Sequence, residues 1–147
     1  MVDRSLPDEA IAALNRFVAH IPQKGLDLIV LKAHLLIELQ LRDIVRKHAA
    51  PSELPKMERA TFWTLTRVAR ALVGTELPDE RWDAIDTLNQ LRNKIAHQLN
   101  SPKVEALATR FVELMGGPLT PELEEPLDEL VREAAAMLCG SLWRGLL

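Results

Sequence analysis

Leu88-Asn89-Gln90-Leu91-Arg92-Asn93-Lys94-Ile95-Ala96-His97 carries a helical period and an unusual polar side at once. At about 100° per residue, Leu88, Leu91, Ile95 and Leu99 cluster on one side, while Asn89, Asn93 and His97, at i, i+4 and i+8, share another. Arg92 sits on the border between them. The apolar side is an ordinary core stripe. A merely solvated face would carry Glu and Lys. Two amides, an arginine and an imidazole are instead the equipment for binding a phosphate and moving a proton. Arg92, Asn93 and His97 are therefore the candidate catalytic residues, with Asn89 in support.

Glu76-Leu77-Pro78-Asp79-Glu80 has the signs of this helix's start, with Pro suited to the first turn and acidic residues to the positive end of the helix dipole. Asn100-Ser101-Pro102 breaks it, which puts His97 in or near the last turn. Arg92 and His97 are then about 140° apart on an ideal helix, so they do not share a face. Their tips converge only through arginine's reach, a loosened last turn, or a second chain lending one of the two.

Upstream, Gly25 opens the longest helical run, ending around His48 before Ala50-Pro51 and spanning roughly 35 Å at 1.5 Å per residue. Its apolar residues, from Leu26 to Val45, cannot share one narrow face, so the helix must be covered on several sides. Neighbouring helices and a second copy of the chain are the expected cover, hence a homodimer. One polar line, His34, Glu38 and Arg42, runs through it at i, i+4 and i+8. Two readings of the line stand. It is a surface strip with a Glu38–Arg42 ion pair worth a few tenths of a kcal/mol, or Glu38, with His34, supports the His97 site.

The remaining chain is also helical in pattern. Leu6 to His20 reads as a first helix with Ser5 as N-cap and Pro7 in its first turn. Met57 to Val73 reads as a third, stopped by Gly74, with Phe62, Leu65, Ala69 and Leu72 inward and Arg59, Trp63, Thr66 and Arg70 along another side. An aromatic flanked by arginines suits a single-stranded RNA groove, which makes Arg59, Trp63 and Arg70 candidate RNA contacts. The plainer reading is packing at a helix edge. Pro102 to Met115 and Pro126 to Leu142 complete the set, followed by an unusually apolar tail, Trp143-Arg144-Gly145-Leu146-Leu147, expected to pack on the body or a partner.

These runs predict an all-α, up-and-down bundle of five to six helices, one domain over residues 1–147. The net charge of −3 provides no global basic field, so any nucleic-acid contact must rest on a local patch. Cys139 is the sole cysteine, in apolar surroundings, and reads as a buried thiol in a reducing, cytoplasmic setting. The N-terminus lacks the apolar core of a signal peptide, and Asp27, Lys32, Glu38 and Arg42 interrupt the most apolar stretch, so no membrane association is expected. His20, His34, His48 and His97 are too scattered for a metal site, no Gly-rich phosphate loop is present, and no Gly-x-Ser-x-Gly elbow occurs. Neither metal nor cofactor is expected.

Leu91-Arg92-Asn93-Lys94-Ile95-Ala96-His97, an Arg-x4-His motif after a Leu-Asn-Gln-Leu approach, resembles the signature of HEPN domains. The similarity spans about residues 25–115, with the long Leu/Glu-rich helix, the Phe-containing third helix and the motif helix in the family's order. HEPN domains are small helical bundles, often dimeric, found in prokaryotic toxin-antitoxin, abortive-infection and CRISPR-associated systems. The resemblance implies metal-independent RNA cleavage across a dimer two-fold, leaving a 2′,3′-cyclic phosphate. His97 would be general acid or base on the ribose 2′-hydroxyl or the leaving 5′-oxygen. Arg92 would hold the scissile phosphate, and Asn93 would orient the imidazole or bond the phosphate. A cognate antitoxin is an implied partner. Position 99, tyrosine in the subgroup silenced by modification there, is Leu99 in a chain without tyrosine, which puts that regulation in doubt. Two alternatives stand beside the nuclease. One is a catalytically inactive HEPN-like dimeric module binding nucleotide, RNA or a protein. The other is a purely structural role in which Arg92 is tied to Glu38 or Asp86 and His97 caps the helix end.

Overall fold

Gly25, at φ 92°, turns the chain into the long helix in a conformation that a residue with a Cβ rarely adopts. Its N–H donates to Asp128 Oδ2 at 3.2 Å, which ties the start of that helix to a distant part of the chain. The computed structural model describes residues 7–98, 100–117 and 125–146. Ser5, Leu6, Leu99 and Leu147, all used in the reading above, lie outside the described residues. Within them the protein is all-helical and has no strand.

The α-helices are α1 (Asp8–Val18), α2 (Leu26–His48), α3 (Leu54–Met57), α4 (Phe62–Val73), α5 (Asp79–His97), α6 (Pro102–Leu114) and α7 (Leu127–Trp143). Short 3-10 turns cover Pro51–Glu53, Gly74–Glu76 and Arg144–Leu146. Helix α2 is the spine, packing against α4, α5 and α7, while α5 lies between α2 and α6. Ile29, Ile37, Leu41 and Ile44 of α2 are fully enclosed, as are Ile85, Leu88 and Leu91 of α5. The apolar excess of α2 is thus met largely by neighbouring helices.

The bundle has one helix more than the five to six expected: a four-residue helix forms over Leu54–Met57, before the anticipated third helix, which starts only at Phe62 and not at Met57. Met57 ends the four-residue α3, Glu58 to Ala60 form a link, and Thr61 caps α4 by accepting the Thr64 N–H at 3.2 Å. The Met57 carbonyl already accepts the Ala60 N–H at 3.1 Å, and Arg42 reaches it together with the carbonyls of Glu58 and Ala60. Its guanidinium donates to Met57, Glu58 and Ala60 O at 3.2–3.4 Å. At the far end of α4, Val73 is buried and Leu72 is exposed, the reverse of the expected register.

The apolar tail folds onto α2. Gly145 is buried, and a Cβ there would stand 3.2 Å from Ile44 Cδ1. His48 Nε2 lies 2.7 Å from Gly145 O, and Lys47 Nζ donates to Leu146 O, so two basic residues in α2's last turn hold the chain's end. Cys139 is enclosed as expected, and burial pushes its thiol up to about 12.

Candidate functional site

The polar line of α2 is half-buried against α5. His34 Nε2 stands 3.0 Å from Asn89 Oδ1, and the imidazole stacks on Phe62 of α4 with centroids 4.0 Å apart and planes at 22°. Burial lowers the His34 pKa from its ordinary value near 6.5. The Asn89 hydrogen bond opposes that, the nearby Arg92 charge lowers it further, and Glu38 raises it. The His34–Asn89 contact joins α2 to α5, with Glu38 one turn beyond His34 and Arg92 one turn beyond Asn89. Glu38 also reaches Arg42 at 3.7 Å, the pair expected from its i, i+4 spacing.

Arg92 is half-buried; among the described residues it has no ion-pair partner, and its side chain bonds Asn93, whose Oδ1 accepts from Nη1 at 3.4 Å. The two carboxylates that the sequence offered as its partner are both engaged elsewhere. Glu38 pairs with Arg42, and Asp86 holds Arg67 in a two-point bridge at 3.0 and 3.1 Å. A guanidinium without a carboxylate partner is available to an anionic ligand.

His97 is exposed and is the last residue of α5, which stays α-helical up to it; the Gln98 N–H returns to Lys94 O at 2.7 Å. No loosened turn swings the imidazole toward Arg92. Arg92, one turn beyond the Asn89 that meets α2, does not line the cleft of about 610 Å³ between α5 and α6, whereas His97 does, with Lys103, Leu107 and Arg110 opposite. Asn93 belongs to both, bonding Arg92 and lining the cleft. Within one chain, then, Asn89 and Arg92 are brought together with His34 and Glu38, Asn93 bridges, and His97 stands apart.

The candidate RNA face on α4 is rearranged. Arg59 falls in the link before α4, Thr66 is buried with its hydroxyl bonded to Phe62 O at 2.9 Å, and Arg70 pairs with Asp79 at 3.0 Å. Trp63 is 57% exposed, but its ring is covered by Arg67, whose Cζ lies 4.6 Å from the centroid. Arg67 was legible as the residue one turn beyond Trp63. Its carboxylate partner, nineteen positions on, was not.

One apolar feature adjoins the site. Leu28, Leu31, Leu35 and Leu39 of α2 are 41–56% exposed and follow one another at helical spacing beside His34 and Glu38. Among the described residues no cluster of His, Cys, Asp or Glu could hold a metal ion, and no helix is long and apolar enough to cross a membrane. No protein-family model, no curated protein and no solved structure matches the chain.

Proposed function

We propose that this protein is a metal-independent endoribonuclease of the HEPN type, acting as a homodimer and serving as a toxin or antiphage effector. The observation that carries this reading is the state of Arg92. Among the described residues it has no carboxylate partner, Asp86 and Glu38 being held by Arg67 and Arg42, and its side-chain partner, Asn93, also lines the cleft that holds His97.

In this reaction the ribose 2′-oxygen attacks phosphorus and the bond to the 5′-oxygen breaks. One proton leaves the 2′-hydroxyl and one arrives on the 5′-oxygen. His97, exposed at a helix end, is positioned to exchange one of them, and Arg92 holds the non-bridging oxygens as charge accumulates. Because the two side chains face different sides of α5, the reading needs a second chain to complete the site. The exposed leucines of α2 supply the contact surface, next to the residues that meet α5. A cognate antitoxin would be a further partner.

The separation of Arg92 from His97 along a regular helix favours a second reading, a catalytically inactive module of the same kind that binds nucleotide, RNA or protein. The deciding experiment compares wild type with His97→Ala on total and single-stranded RNA in EDTA. The nuclease reading expects cleavage by wild type alone, with cyclic-phosphate ends. Cleavage abolished by the chelator, or retained by His97→Ala, would overturn it. Growth arrest on expression, relieved by the same substitution, identifies a toxin.

A further inference from the structure

The chain's net charge is −3, yet no carboxylate lines the cleft between α5 and α6. Lys94 of α5 and Lys103 and Arg110 of α6 project around it, and among the described residues none of these three side chains has an ion-pair or hydrogen-bond partner. Elsewhere on α2 and α4, Arg42, Arg67 and Arg70 are each spent on a carboxylate, and on α5 Arg81 is spent on the Leu114 carbonyl. Three unspent cations gathered in one acid-free groove of an acidic protein mark a site for an anion.

The spacing fits an extended polyanion. Lys103, Leu107 and Arg110 lie at i, i+4 and i+7 on one face of α6, so their charges are spread along the groove with an apolar floor between them. Gln90 and Asn93 on the opposite wall offer amides able to donate to phosphate or to pair with a base edge. A floor that receives a sugar or base, amides that bond either, and cations spaced along the rim suit a single strand. An acidic peptide would use the cations and leave the amides idle. A duplex is too wide for a groove between two packed helices.

We infer that the α5–α6 cleft is the track for a single-stranded RNA backbone, with Lys94, Lys103 and Arg110 contacting successive phosphates. This rests on the nuclease reading for its connection to His97, which lies in the same groove. It moves RNA recognition away from Arg59, Trp63 and Arg70.

The test uses fluorescence anisotropy with a labelled 2′-O-methyl oligouridylate, which binds but lacks the attacking hydroxyl. Lys94→Gln, Lys103→Gln and Arg110→Gln are combined and compared with a charge-matched control, Arg16→Gln, Lys24→Gln and Lys56→Gln, both checked by circular dichroism. If the cleft is the track, the first triple variant binds at least about tenfold more weakly, and its log–log salt slope falls by about 2, or 0.7 per phosphate lost. The control changes little. Equal losses in the two triples, or displacement of the RNA by polyglutamate as effectively as by an unlabelled oligonucleotide of equal charge, overturn the inference. Cleavage of ordinary RNA is scored separately. Wild type that cleaves while the two triples bind alike refutes the track alone, and a track that behaves as described in a protein without cleavage refutes the nuclease alone.

Discussion

His34 on α2 and Asn89 on α5 meet at 3.0 Å, with the ring Nε2 facing the amide oxygen and Phe62 stacked on the imidazole. This contact joins the spine of the fold to the helix that carries the Arg-x4-His motif. It also makes stability depend on pH. Burial, reinforced by Arg92, disfavours the imidazolium, so the folded state binds His34's proton less readily than the unfolded chain. Stability is therefore full above the ordinary value near 6.5 and declines as pH falls from there through the lower folded value. Thermal unfolding from pH 7.5 to 5 should show this decline, and His34→Asn should flatten it. A His34 ring titrating at or above its ordinary value by NMR would contradict the burial argument.

Arg67 holds α4 to α5 through Asp86 while covering Trp63. Since the pair is partly exposed, its worth is modest, about 1 kcal/mol, with a similar amount from the cation–π contact. Arg67→Ala should lose about 1–2 kcal/mol in urea unfolding. A double-mutant cycle with Asp86→Asn should give a coupling of about 1 kcal/mol.

Trp82 anchors the first half of α5. It is fully enclosed, and among the described residues its indole Nε1 has no hydrogen-bond partner. Trp82→Phe therefore sacrifices volume and no hydrogen bond, at a cost of about 1–2 kcal/mol, whereas Trp82→Ala opens a cavity costing about 3–5 kcal/mol. Urea midpoints at constant slope measure both. Equal costs for the two would mean that the indole N–H, rather than packing, is what matters there.

The exposed leucines of α2 make oligomerisation testable apart from catalysis. Leu35→Glu with Leu39→Glu places two charges on a surface already 43–44% exposed, which leaves the monomer fold intact. Sedimentation should then report a dimer for wild type and a monomer for the variant. RNA cleavage should fall in parallel, because Arg92 and His97 of one chain face different sides of α5. A monomeric wild type with full cleavage would sink the two-chain site.

The period of apolar residues and the local breakers were enough to locate most helices. The end of α2 at His48 before Ala49-Ala50-Pro51, the end of α5 at His97, and the start of α6 at Ser101-Pro102 all follow from short-range rules of capping and backbone geometry, which a sequence displays directly. The break before α4 was harder to read, because Thr61 is a cap only once the chain turns there and Arg42, fifteen or more positions away, supplies donors to the carbonyls there.

Around Leu88 to His97 the same division holds. The sequence by itself determined that one helix presents a core stripe and a polar side of amides, arginine and histidine, since a helix fixes which residues share a face. Only the tertiary structure decided who pairs with whom. Asp86 goes to Arg67, Glu38 to Arg42, and Arg92 is left with Asn93, while His97 turns to α6. Several side chains compete for each carboxylate, and the winner is set by how α2, α4 and α5 pack. Spacing along the chain shows the local Glu38–Arg42 pair but carries no trace of Asp86 going to Arg67, nineteen positions away.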